Sequence, residues 1–166
     1  MNPLVLKVGA VALVQLALVG AAVAPRLSAR LTGEEYRLLV APVDPIDPFR
    51  GAYVALDYPD LRHGGSQSFV EPGLGSLEDG ESGAVYITLA EQDGVWIGEE
   101  WSRTRPDAGP YLTCDDRSWQ VRCGIESWFL PQDDAQEAEQ LLRDGAVAEL
   151  RVDDRGNAAV VDVRAP

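Results

Sequence analysis

The chain starts with one long apolar segment. Positions 4–23 read LVLKVGAVALVQLALVGAAV, in which Lys7 lies near one end and Gln15 is the only polar residue deep inside. About 20 helical residues span the ~30 Å hydrocarbon core of a bilayer, and a helix in a soluble core would show a polar face that this segment lacks. The pattern predicts a transmembrane anchor and juxtamembrane stretch at residues 1–31, followed by a soluble β-rich domain at residues 32–166.

A cleaved signal peptide is the alternative interpretation of the apolar segment. Ala22-Val23-Ala24 has the small residues of a cleavage site, but Pro25 follows directly and would impede processing. The segment is also longer than the apolar part of a typical signal peptide. We therefore favour an uncleaved, single-pass anchor.

The domain has its apolar residues mostly in short runs or in alternation with polar ones, which is typical of strands. In residues 52–58 this alternation places Val54, Leu56 and Tyr58 on one face. Asp93-Gly94 lies between two such runs and predicts a tight hairpin. The strands are predicted at residues 36–41, 52–58, 84–91, 95–103, 110–114, 120–125, 146–152 and 158–163.

One helix is predicted within the domain, at residues 132–143. Acidic residues crowd its first turn, Arg143 lies in its last turn and Gly145 follows. Residues 126–131 precede it and are expected to bury two aromatic side chains. The predicted fold class is mainly β (α+β), with about eight antiparallel strands in hairpins and one surface helix, preceded by one N-terminal transmembrane helix.

Charge narrows the possible partners of the domain. The chain has 14 Lys and Arg against 27 Asp and Glu, a net charge of −13. Nucleic-acid binding needs clustered basic residues, so no nucleic-acid partner is expected. The same acidity disfavours docking of the domain on anionic lipid.

Cys114 and Cys123 are the two cysteines of the chain. In an exported domain, two cysteines this close are expected to form a disulfide, here across the hairpin predicted at residues 110–125. Two unrelated reduced thiols are the alternative. The orientation of the domain is linked to this point: Arg26 and Arg30 after the anchor weakly favour a cytoplasmic domain, whereas the cysteine pair and the acidity favour an extracytoplasmic one, which we expect.

A short motif resembles a known family signature. Residues 51–58 read GAYVALDY, in which Gly51, Tyr53, Leu56 and Tyr58 match the name-giving positions of the GDYXXLXY family of bacterial membrane-anchored proteins, and Ala52 replaces the signature aspartate. Residues 123–131, CGIESWFLP, are similar to the stretch before that family's helix. The family that the chain resembles has no assigned activity, so the resemblance implies none. It does imply a polytopic membrane protein as partner.

The densest polar cluster surrounds this motif. We interpret it as a turn whose aspartates cap backbone N–H groups. In the alternative, it is a binding pocket in which Arg50 grips a carboxylate or phosphate. The candidate binding residues are Asp44, Asp47, Arg50, Gly51, Tyr53, Leu56 and Tyr58.

No catalytic or metal-binding residue and no cofactor is predicted. His63 is the one histidine, which is too few for a usual zinc site, and Lys7, the one lysine, lies in the anchor and cannot form a Ser–Lys pair in the domain. The predicted function is a non-catalytic accessory or interaction subunit of a membrane-protein complex. The first alternative is an extracytoplasmic sensor that binds a small ligand or carbohydrate with the loop at residues 59–83 and the Arg50 turn. The second is a hydrolase that uses the paired acids at residues 115–116, 133–134 and 153–154.

Overall fold

A computed structural model describes residues 3–42, 53–61, 82–118 and 121–166. Its longest element is helix α1, Pro3–Thr32. Of the helices described, this one is long and apolar enough to cross a membrane, and the apolar side chains along it are exposed rather than packed against the domain. The N-terminal membrane helix predicted from the apolar segment is therefore present as a candidate span, and α1 continues past it to residue 32.

Eight antiparallel strands follow, in two sheets. They are β1 (Glu34–Pro42), β2 (Tyr53–Asp57), β3 (Ala84–Gln92), β4 (Val95–Ser102), β5 (Tyr111–Asp115), β6 (Ser127–Phe129), β7 (Ala146–Val152) and β8 (Ala158–Arg164). The large sheet has the order β6-β2-β1-β7-β8, and the small sheet has the order β4-β3-β5. The short helix α2, Ala135–Arg143, precedes β7. The predicted fold class is confirmed.

The β3–β4 hairpin forms where the Asp-Gly pair predicts it. Asp93 has φ of 53° and Gly94 has φ of 85°, which is the left-handed backbone that a two-residue hairpin turn requires. Gln92 pairs with Val95 across this turn. The closing hairpin of β7 and β8 also forms as predicted, with Val152 opposite Ala158.

The two sheets share one hydrophobic core. Alternate residues of β1, β3, β5 and β7 are buried in it, and Ala138 and Leu142 of α2 cover one side. The rings of Tyr36 on β1 and Trp96 on β4 meet edge to face, with centroids 4.9 Å apart. The large and small sheets are therefore held together by side chains as well as by the loops between them.

The sixth predicted strand is wrong in position. Within residues 121–125, the part of this segment that the structure describes, there is one isolated bridge, between Arg122 and Asp115, and the strand lies at 127–129 instead. The physical reason is local: Gly124 has φ of 82°, and the Glu126 carboxylate accepts hydrogen bonds from the backbone N–H groups of Cys123 and Gly124. A strand would need those groups for its ladder.

The expected burial of two aromatic side chains in residues 126–131 is correct only in part. Trp128 is half-buried and packs against the core, whereas 72% of the Phe129 side chain is exposed. Because neighbouring strand residues point to opposite faces, a three-residue strand with two adjacent aromatics turns one of them outward.

Candidate functional site

Strand β2 carries the second half of the sequence motif and directs it into the core. Val54, Leu56 and Tyr58 are each at most 6% exposed, as their alternation predicts. The backbone N–H of Leu56 donates to the carbonyl of Glu126 at 3.0 Å. The Tyr58 hydroxyl donates to the carbonyl of Ile125 at 3.0 Å, and this bond is buried.

Tyr58 is held as a neutral hydrogen-bond donor. Burial raises its pKa far above the usual range, and the nearby charge of Glu126 raises it further. A phenol with such a pKa keeps its proton at any physiological pH. Tyr58 therefore serves as a fixed donor to the Ile125 carbonyl, not as an acid–base group.

The second sequence block, residues 123–131, lies directly beside the motif. Its strand β6 pairs with β2, so that Tyr53 faces Phe129 and Val54 faces Trp128. Cys123 forms a disulfide with Cys114, as predicted. Because Cys114 is on β5 of the small sheet, this bond ties that sheet covalently to the segment that leads into β6 of the large sheet.

Both blocks that resemble a family signature thus form one continuous structural unit. The model of the GDYXXLXY protein family matches residues 15–163, which is nearly the whole chain. The chain belongs to the GDYXXLXY family. The function of this family is unknown, and its members have a possible N-terminal membrane helix. No curated protein and no solved structure matches the chain.

The structure describes three of the GDYXXLXY signature residues. Leu56 and Tyr58 fill the core, and the backbone of Tyr53 pairs with β6. The remaining candidate binding residues, Asp44, Asp47, Arg50 and Gly51, lie outside the described residues, as do Ala52 and most of the loop at 59–83. The proposed ligand pocket around Arg50 stays a prediction.

Of the paired acids at residues 115–116, Asp116 is held by hydrogen bonds from other parts of the domain. Asp116 accepts two hydrogen bonds from Arg103, at 3.0 and 2.6 Å, and one from the Gly83 N–H at 2.6 Å. The hydrogen bonds from Arg103 lower its pKa despite an opposing effect of burial. A carboxyl group with a low pKa is ionised at neutral pH and cannot act as the general acid of a hydrolase.

Asp153 also has a structural role, in the turn between β7 and β8. Its carboxylate accepts hydrogen bonds from the backbone N–H groups of Arg155 and Asn157 and from the Asn157 amide. Burial acts to raise its pKa, but the bonds from Asn157, from the Ser28 hydroxyl and from the backbone together lower it. Among the described residues, no three His, Cys, Asp or Glu side chains come together as metal ligands.

The last turns of α1 are fixed to the domain. Ala29 is fully buried, and the Gly33 N–H donates to its carbonyl at 2.9 Å. Arg151 on β7 donates to the carbonyl of Arg30 at 2.7 Å. A side chain on Gly33 would lie 2.8 Å from the Val152 nitrogen, so only glycine allows this close approach. The sequence signals this junction through Gly33 alone, as a helix stop.

A groove lies beside this junction, between the base of α1 and the two outer strands of the large sheet, β6 and β8. Its volume is about 370 Å³. Its apolar walls include Leu27, Phe129 and Val161, each at least half exposed, and Arg26 and Arg30 line the same groove. Sequence reasoning missed it, because three separate segments form it.

A second, open groove of about 540 Å³ lies on the other side of β6, against α2. Its walls are mainly apolar and include Leu130, Leu141 and Val163, with Asp134 and Glu137 among its lining residues. Ligand pockets commonly combine apolar walls with a few convergent polar groups. The polar side chains here, two carboxylates and the amide of Gln140, all lie on one helical segment and do not identify a ligand.

Proposed function

We propose that this protein is a non-catalytic accessory subunit, held in a membrane by α1, that acts by binding a polytopic membrane protein. The observation that carries this proposal is the contrast along α1: its last turns are fixed to the domain, whereas the apolar surface before them is uncovered. Because α1 is joined rigidly to the domain, a partner that binds α1 would determine where the domain is placed.

Gln15 supports a contact between α1 and another transmembrane helix. It lies in the middle of the predicted span, and its side chain is exposed. A glutamine facing hydrocarbon leaves its amide groups without hydrogen bonds, and such residues bond across helix interfaces instead. The partner proposed for α1 is therefore a transmembrane helix that carries a polar group at this depth.

The bonding of the acids supports a binding role over hydrolysis. Asp116 is engaged by Arg103, and Asp153 is buried in its own turn. Each of these two has a lowered pKa, so neither can be the protonated carboxyl group that a hydrolase of the paired-carboxylate type needs.

Capture from native membranes tests the proposal. The tagged full-length protein is extracted in a mild detergent, and the proteins that remain bound are identified and quantified. We expect one polytopic protein in stoichiometric amount, lost in Gln15→Leu and retained in Gln15→Asn, which keeps the amide. Recovery of a monomer without a partner, or equal recovery with both variants, would overturn the proposal.

We also propose that the domain is extracytoplasmic, which the Cys114–Cys123 disulfide supports because such bonds persist in oxidising compartments. Protease added to the outside of intact cells with a permeabilised outer envelope should digest the domain, and protease added to inverted membrane vesicles should leave it whole. The reverse pattern would place the domain in the cytoplasm.

A further inference from the structure

The groove at the base of α1 combines three apolar side chains with two arginines. Leu27, Phe129 and Val161 are 50%, 72% and 51% exposed, and Arg26 and Arg30 are exposed beside them. Large apolar side chains gathered on a surface commonly mark a site of contact with a protein or a membrane. Their position relative to α1 decides between these two.

The groove lies at the depth of the lipid headgroups if α1 spans the membrane as predicted. The apolar segment ends at Val23, and Leu27 and Arg30 follow four and seven residues later, about 6 and 10 Å along a helix. The headgroup layer on each side of a bilayer is about 5–8 Å thick. The groove therefore opens where acyl chains end and phosphates begin.

A β-bulge turns Val161 toward the groove. Glu149 pairs with Asp162 and Leu150 pairs with Val160, so Val161 is an extra residue between two paired ones. Bulges redirect a side chain out of the regular alternation, and Val161 and its neighbour Asp162 are both exposed. The outer strand thus presents an apolar side chain on the surface that faces the base of α1.

The charge here is opposite to that of the domain as a whole. Arg26 makes no ion pair or hydrogen bond with the part of the chain that the structure describes, and the one acidic lining residue, Glu126, is bonded to the backbone of Cys123 and Gly124. The acidic domain would be repelled by an anionic surface. In this groove, attraction to such a surface comes from the two arginines at the helix base.

We propose that this groove binds an anionic phospholipid of the membrane that α1 crosses. Arg26 and Arg30 contact the phosphodiester headgroup, and Leu27, Phe129 and Val161 contact the glycerol and the first part of the acyl chains. The bound lipid fixes the tilt of the domain on the membrane surface. This inference rests on α1 crossing a bilayer and is independent of the polytopic partner proposed above.

Membrane depth at Val161 tests the apolar part of the proposal. Val161→Cys is spin-labelled in the full-length protein, which is reconstituted into vesicles of equimolar phosphatidylcholine and phosphatidylglycerol. We expect the label to be reached by oxygen, which concentrates in the bilayer, more than by a water-soluble nickel chelate. Leu39→Cys, an exposed apolar residue of the same sheet that does not line the groove, should show the reverse. Ala17→Cys marks the bilayer interior.

Three results would overturn the proposal. The Val161 label could behave like the Leu39 label, which would place the groove in water. It could be shielded from both reagents, which would mean that a second copy of the protein covers it. The Ala17 label could be reached by the nickel chelate, which would mean that α1 does not cross the bilayer. If Val161→Cys does not fold, Phe129→Cys reports on the opposite wall of the same groove.

Lipid selectivity tests the charged part. Native mass spectrometry of the protein released from the same vesicles should show phosphatidylglycerol retained over phosphatidylcholine. One basic residue near a membrane surface is worth about a fivefold change in binding, so Arg26→Gln should reduce this preference about fivefold. Arg37→Gln, an exposed arginine on β1, should leave it unchanged. Equal retention of both lipids by the unaltered protein, or an unchanged preference in Arg26→Gln, would overturn the proposal.

Discussion

Leu56 on strand β2 and Tyr58 directly after that strand are buried, whereas Leu27 and Phe129, which line the groove at the base of α1, lie on the surface. The first pair belongs to the GDYXXLXY signature. The backbone N–H of Leu56 and the hydroxyl group of Tyr58 donate hydrogen bonds to neighbouring carbonyl groups. In the second pair, Leu27 lies outside both blocks that resemble the family and Phe129 lies in the second block, and both line an open groove. The two regions therefore differ in burial and in hydrogen bonding, although both consist of apolar and aromatic residues.

This difference teaches where function should be sought in the GDYXXLXY family. The described signature residues hold β2 against residues 123–131, and the disulfide at Cys123 ties that unit to the small sheet. A family signature of this kind identifies a fold. Among the described residues, the exposed length of α1 and the groove at its base are the surfaces that we propose for a partner and a lipid.

The largest expected effect separates the two regions by stability. Leu56→Ala should lower the free energy of unfolding by about 2–5 kcal/mol, because it removes buried methyl groups and leaves a cavity. Phe129→Ala should change it by less than about 0.5 kcal/mol, because most of that side chain is exposed. Urea unfolding of the full-length protein in detergent, followed by tryptophan fluorescence, measures both. Similar losses in the two variants would erase the distinction.

Removal of the disulfide should rank next. The double variant Cys114→Ser/Cys123→Ser should lose about 2–3 kcal/mol, because the unfolded chain is no longer constrained by the closed loop. The same urea unfolding measures it, with the reduced unaltered protein as a second reference. An unchanged midpoint would mean that the Glu126 carboxylate alone fixes residues 123–126.

The Tyr58 hydroxyl should contribute less. Tyr58→Phe leaves the buried Ile125 carbonyl without its donor and should cost about 1–3 kcal/mol. Tyr36→Phe, whose hydroxyl donates to the exposed Glu34 at 3.1 Å, should cost no more than about 1.5 kcal/mol. Equal costs for both would show that burial of the acceptor does not matter here.

Tyr58 also predicts a dependence on alkaline pH. Burial raises its pKa, so the phenol keeps its proton in the folded protein at a pH where it ionises in the unfolded chain. The stabilisation is complete below the ordinary tyrosine pKa of about 10 and declines as pH rises above it. Tyr58→Phe should remove part of this decline, and a decline of the same size in the variant would contradict the assignment.

Asp153 should give the smallest change at neutral pH, about 1–2 kcal/mol in Asp153→Asn, with a clear signature in acid. Its lowered pKa means that its stabilisation is present above the unfolded value of about 3.9 and is lost as pH falls below it. The variant should therefore show a flatter loss of stability in acid. Asp154→Asn, whose side chain is 88% exposed, is the matched control and should behave like the unaltered protein.

Local sequence patterns predicted much of this fold, because local physics decides those parts. Alternation placed Val54, Leu56 and Tyr58 inside, and Asp93-Gly94 set the β3–β4 hairpin. The strand order of the large sheet, in which β6 lies beside β2, depends on contacts distant in the sequence that no local pattern encodes.

The groove at the base of α1 was not predictable for the same reason. It needs the end of α1, the short strand β6 and a bulge at Val161 to meet in space. The exposure of Phe129 likewise depends on the register of β6 against β2, which the predicted strand at 120–125 had wrong.

Site-specific photo-crosslinking in native membranes tests most directly whether partner contact lies on α1 and not on the exposed surface of the large sheet. A photoreactive residue is placed at Val11 and at Leu18, which lie on the Gln15 face of α1 one helical turn before and after it, and for comparison at Leu13 and at Leu39. All four positions are exposed. We predict adducts with one polytopic protein from Val11 and Leu18, and none with that protein from Leu13 or Leu39. Adducts from Leu39 alone would contradict this prediction. The absence of protein adducts from every position on α1 would contradict it as well.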